Sequence, residues 1–178
     1  MLKKIVASVL LLSVLALPLQ ARTIPAPAAP PALQPPSGQT LLFALSAKGV
    51  QIYSCEMDAA HPGAYGWQFI QPEAQLSDAR GRVVAKHYAG PTWESTDGSQ
   101  VVGEVRAHLD SPDRNAVPWL LLAAKSNSGS GAFAAVRSIQ RLRTSGGLAP
   151  AGGCKEVQAQ QMLRVPYTAT YYFYGSHP

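Results

Sequence analysis

The stretch Pro72-Glu73-Ala74-Gln75-Leu76-Ser77-Asp78-Ala79-Arg80-Gly81-Arg82-Val83-Val84 decides how this chain folds. It is echoed at once by Pro91-Thr92-Trp93-Glu94-Ser95-Thr96-Asp97-Gly98-Ser99-Gln100-Val101-Val102. In both, proline stands six residues before aspartate, a turn with glycine follows, and paired valines open the next run. The second turn is one residue tighter. Aspartate caps its own turn and glycine takes positive φ, so each segment reads as a β-hairpin. Two successive hairpins make a meander.

The pattern continues on both sides. Val50-Gln51-Ile52-Tyr53-Ser54-Cys55 alternates and is β-prone, and Trp67-Gln68-Phe69-Ile70 follows the turn-rich His61-Pro62-Gly63. Alternation predicts which side chains face inward. On 83–88, exposed Lys86 turns Val84 and Tyr88 outward and His87 inward. On 101–109, Val101, Gly103, Val105, Ala107 and Leu109 face the core, and Glu104, Arg106 and His108 face solvent. Ala116 to Ala124 is apolar on both faces, which suits a central or barrel strand. Phe133 to Thr144 fits a helical face through Phe133, Val136 and Gln140. It also fits a strand with Val136, Ser138, Gln140 and Leu142 inside and Arg137, Arg141 and Arg143 outside, and is read here as a strand. Val165 to Tyr174 is a closing strand with rings on both faces, one of them core and the other free to meet a ligand or partner. Eight or nine short strands without a sustained helix give an all-β fold, a small antiparallel barrel or a two-sheet sandwich. A last strand paired with the first would remove the free edges.

The chain has 178 residues, room for one domain once the ends are set aside. Met1 to Lys4 is basic, Ile5 to Leu19 is apolar and uncharged, and Leu19-Gln20-Ala21 ends on a small residue. Residues 1–21 therefore read as a secretory signal peptide, too short to span a bilayer. Residues 22–37 are rich in Ala and Pro and read as an extended tether, and 38–178 form the single β-rich domain. Cleavage would lower the net charge from +5 to about +3. Such a mild balance, with no run of Lys and Arg, argues against nucleic acid and fits weak attraction to anionic envelope polymers. The expected location is the periplasm or the exterior, with no stable membrane span after cleavage. There, two cysteines, Cys55 and Cys154, suggest a disulfide closing a loop of about 100 residues.

Several motifs resemble one family. Gly49-Val50-Gln51-Ile52-Tyr53-Ser54-Cys55 is similar to the opening signature of the bacterial and fungal domain of unknown function 3455 family. His87-Tyr88-Ala89-Gly90-Pro91-Thr92-Trp93-Glu94, Asp97-Gly98-Ser99 and Pro118-Trp119-Leu120-Leu121 also match. So do Ile139-Gln140-Arg141, Gly146-Gly147, Cys154 and Val165-Pro166-Tyr167-Thr168-Ala169. The resemblance runs from about residue 38 to 174 and implies no mechanism. Some fungal relatives carry a malate dehydrogenase label, but this chain has neither a GxGxxG between strand and helix nor a β/α alternation.

The densest chemistry lies between His87 and Ser99. His87 is the candidate base, Glu94 or Asp97 its carboxylate partner, and Tyr88 and Trp93 are candidate stacking surfaces for a ligand. The same residues also read as turn and core. Arg141, beside Thr144-Ser145-Gly146-Gly147, is a candidate anion contact. His61, His87, His108 and His177 show no metal-ligand spacing, so neither a metal nor a cofactor is expected. Three functions remain. A non-enzymatic module would bind a small molecule or an envelope polymer, and it predicts a pocket lined by His87, Tyr88 and Trp93. A hydrolase or isomerase would need His87 bonded to a carboxylate in an open cleft. A structural or stress-related surface module would show no pocket.

Overall fold

The computed structural model describes residues 25–176. Eight antiparallel strands follow one another around a closed barrel: β1 (Thr40–Met57), β2 (Tyr65–Ser77), β3 (Val83–Tyr88), β4 (Thr92–Ser95), β5 (Gln100–Leu109), β6 (Trp119–Ser128), β7 (Val136–Gly146) and β8 (Met162–Gly175). The ring closes where β1 pairs with β8, from Thr40 opposite Gly175 to Ser54 opposite Met162. No open sheet edge is left, which decides between barrel and sandwich. An antiparallel sheet with each strand hydrogen-bonded to its sequence neighbours has nothing in common with a dinucleotide-binding fold.

Both hairpins form at the echoed segments. Asp78 Oδ1 accepts from the amides of Arg80 and Arg82, and Gly81 has φ +78°. Ser95 and Ser99 close the second turn around Gly98 at φ +86°. Cys55 and Cys154 are joined, with Cα atoms 6.0 Å apart, tying the end of β1 to the loop before β8.

Successive connections alternate between the two ends of the barrel. One end, the floor, carries the β2–β3, β4–β5 and β6–β7 loops. Phe43, Phe133 and Phe173 pack across it with ring centroids 4.9–5.8 Å apart. The β6–β7 loop folds under them and is held there. Asp97 Oδ2 accepts from the amide of Ala132, Ser99 Oγ from that of Phe133, and Asn127 Nδ2 donates to the carbonyls of Phe133 and Val136. The other end, the mouth, has no such plug. There β3 and β4 are only 6 and 4 residues long beside the 13 of β2, so the wall is notched. Pro72 lies in the length of β2 that has β1 alone as a neighbour, where a missing amide donor is tolerated.

Two inward-facing assignments are corrected. On β5, pairing skips Arg106 between Val105 and Ala107. This bulge reverses the alternation, and Ala107 packs on the outer wall. On β7, Ile139 and Arg141 face the barrel interior, while Gln140 and Leu142 face outward. The reason is that the outer wall here is covered. A 3-10 turn, Pro31–Leu33, buries Leu33 completely against Leu142, Tyr172 and Tyr174, flanked by Trp119 and Leu121. Gln140 Nε2 donates to the Leu33 carbonyl and Tyr174 donates to Gln140 Oε1. With both faces of β7 buried, the apolar pattern carries no information about which is inside. The same cover removes the second aromatic face of β8 from solvent, so it offers no ligand or partner patch.

Candidate functional site

Above the aromatic floor the barrel is hollow. The cavity holds about 450 Å³, within the ~300–1,000 Å³ of small-molecule sites. An eight-stranded barrel is just wide enough for side chains or one small ligand. Here side chains take the lower half and leave the upper half open.

Cross-strand register builds the cavity base. His87 lies opposite Trp93 on neighbouring strands, both facing inward. Their rings stack at 4.3 Å, tilted by 9°, and Tyr171 of β8 meets both edge-on at 5.2 and 5.3 Å. Gly103 of β5 makes room for the indole, because a Cβ there would lie 2.9 Å from Trp93 Cζ3. The sides are apolar, from Leu120 and Leu122 of β6 and Val105 of β5. At the rim, Phe69, Ile70, Val105 and Leu148 are each 41–53% exposed. A bulge that skips Ile70 in the β1–β2 pairing places the first two there.

Polar groups enter this apolar cup from five strands. Arg141 of β7 uses Nε and Nη2 on the Pro118 carbonyl, at 3.1 and 2.9 Å. Gln51 of β1 is 2% exposed and its Nε2 has no hydrogen-bond partner. Trp93 Nε1 is likewise enclosed and unpaired. Tyr53 donates to the Gly147 carbonyl at 2.6 Å. His87 Nδ1 stands 2.8 Å from the Thr92 carbonyl, which can only accept, so Nδ1 carries the proton and Nε2 is an acceptor. Burial pushes the imidazole down to about 3, the nearby Arg141 adds to that, and the Thr92 carbonyl opposes both. His87 is therefore neutral at physiological pH. Burial raises the Tyr171 phenol, against the pull of Arg141.

The sequence candidates separate into three places. His87, Trp93 and Arg141 line the cavity together. Arg141 does so from the opposite face to the one expected and without the Thr144–Gly147 turn as a cradle. Tyr88 and Glu94 stand on the outer wall, where Tyr88 donates to Glu94 Oε2 at 2.8 Å and Lys86 pairs with Oε1 at 3.1 Å. These contacts hold the Glu94 carboxyl below its usual range. Tyr88 is thus no part of the lining, because alternation sends it out where it sends its neighbour His87 in. Asp97 sits at the floor, where Ser99 and the Ala132 amide depress its carboxyl strongly. Neither carboxylate is a hydrogen-bond partner of His87, and the base–acid pair required of a hydrolase or isomerase does not form. Gln51 and Tyr53 are not among the sequence candidates, whereas Tyr171 belongs to the aromatic closing strand expected to put one face in the core and the other toward a ligand or partner. The strict alternation of Ala47, Gly49, Gln51 and Tyr53 along β1 was the signal that could have found the first two.

The family described as "Protein of unknown function (DUF3455)" matches residues 36–175, which is every strand of the barrel. The chain belongs to that family. No curated protein and no solved structure matches it. The match spans both the DUF3455 floor and its open cavity, and it begins three residues after Leu33. Among the described residues no group of three His, Cys, Asp or Glu side chains converges as a metal site would require, and no helix is long and apolar enough to cross a membrane.

Proposed function

We propose that this is a non-enzymatic binding module of an exported protein, taking one small, mainly apolar molecule into the upper half of its barrel. The observation that carries this reading is the hollow itself: a cup with an aromatic base, aliphatic sides and an apolar rim, in a barrel whose other half is packed solid. A protein that needed only a stable surface gains nothing from leaving such a space open, since unfilled apolar volume costs stability. A cup closed at its base favours a compact ligand over a polymer strand. Catalysis is disfavoured because the one histidine in the cup is neutral and bonded to a main-chain carbonyl rather than to a carboxylate. Export is supported by the disulfide, which belongs in an oxidising compartment.

The test is a thermal-shift screen of small apolar compounds against residues 25–178, repeated with Val105→Trp and Trp93→Ala. Val105 is half exposed at the rim, so a tryptophan there obstructs the mouth at little cost to folding. Hits should stabilise the wild type and lose that effect in Val105→Trp. Hits that stabilise both proteins equally would place binding elsewhere and end this reading.

A further inference from the structure

Resting on the reading that the cup is a binding site, we infer that its ligand is an amphipathic monoanion, a carboxylate carried on an apolar body, with Arg141 as the charge partner.

The inference begins with an imbalance. The cup's lining contains one guanidinium and no Asp or Glu. Every ion pair among the described residues lies elsewhere, and none includes Arg141. A partly buried cation whose neighbours are the Pro118 carbonyl and the neutral Tyr171 phenol keeps most of its charge uncompensated, and burying an unpaired charge is expensive. A protein that wanted only a tie between β7 and Pro118 could use a neutral donor.

The other polar groups lean the same way. Gln51 Nε2 and Trp93 Nε1 are enclosed donors with nothing to donate to. Both residues line the cup, as does Arg141, which reaches the Pro118 carbonyl through Nε and Nη2. Buried donors are nearly always satisfied in folded proteins, so two spare ones beside a guanidinium in one cavity point to an acceptor that arrives from outside. An anionic oxygen pair meets that demand best, because charge-assisted bonds to guanidinium are short and strong. One cation, with two of its nitrogens already engaged, fits a single negative charge. The rest of the ligand is set by the walls: Leu120, Leu122 and Val105 offer only apolar contact, and Phe69, Ile70 and Leu148 extend it to the rim.

Two matched pairs of probes test this: decanoate against decanol, and naphthaleneacetate against naphthaleneethanol. Titrations follow intrinsic tryptophan fluorescence and unfolding temperature at pH 7. The wild type should bind each carboxylate about tenfold or more tightly than its alcohol. Arg141→Met should erase that preference while leaving the alcohol's affinity in place, and Arg141→Lys should restore part of it. The wild-type comparison needs no variant to fold. Alcohols that bind as well as the acids, or a preference that survives Arg141→Met, would overturn the anion and leave the cup as a binding site. Failure of all four probes in a protein whose screen hits are lost in Val105→Trp would also overturn the anion. Probes that bind Val105→Trp as well as the wild type would instead remove the cup reading beneath it.

Discussion

The two ends of the barrel are made from the same strands and differ in almost every other respect. At the floor, three phenylalanines fill the bore, and the loop that supplies Phe133 is hydrogen-bonded to its neighbours through Ser99, Asp97 and Asn127. At the mouth, β3 and β4 stop short, large apolar side chains stand in solvent, and buried donors go unpaired. The floor has the packing expected of a part selected for stability, with the Ser99, Asp97 and Asn127 side chains all paired. Around the cup both rules are relaxed together, with Gln51 and Trp93 leaving donors unpaired beneath exposed Phe69, Ile70 and Leu148, and such a concentration at one cavity marks a place with a use.

The contrast can be broken most directly by truncating its centre. Phe133→Ala should destabilise the protein by about 3–5 kcal/mol in denaturant unfolding. Leu120→Ala borders space that is already empty and should cost at most about 2 kcal/mol. Equal losses would mean that the ends do not differ as described. Next is the bridge between Cys55 and Cys154. Replacing both with alanine should remove about 2–4 kcal/mol and expose the 147–161 loop to limited proteolysis before the floor is touched.

A third test uses pH. The His87 imidazole is held at about 3 in the folded protein, below the ~6.5 of an unfolded chain, so the unfolded state takes up the proton first. The stability contributed by keeping it neutral is complete above ~6.5 and drains away as pH falls toward the folded value, by at most about 1.4 kcal/mol per unit. His87→Phe should flatten that part of the stability profile between pH 7 and 5. Parallel profiles for variant and wild type would show that the ring is not buried as a neutral base. The smallest effect is expected for Ser99→Ala, about 1–2 kcal/mol, for the lost bond to the Phe133 amide.

The fold was legible where one face of a strand meets solvent. The paired Pro-to-Asp segments located both hairpins, and Lys86 alone was enough to send His87 inward. Legibility failed where that contrast vanishes. On β7 the Pro31–Leu33 turn covers the outer wall, so Gln140 and Leu142 look as buried as Ile139, and the inward face was read in reverse. On β5 a single bulge undid the alternation at Arg106. The site was half visible for the same reasons. His87 and Trp93 were found through a dense local run of residues. Gln51, Tyr53 and Tyr171 come from the first and last strands, and only closure of the ring brings them to the cup. Spacing along the chain carries no trace of that closure.

Thr40 and Gly175 pair beside the floor, with Ala135 against Gly175. The last strand, β8, therefore ends on the side away from the opening. A linker or fluorophore joined after Gly175 would hang beneath the sealed base, and molecules immobilised through it on a sensor surface would present their cups outward, all accessible to the same solution.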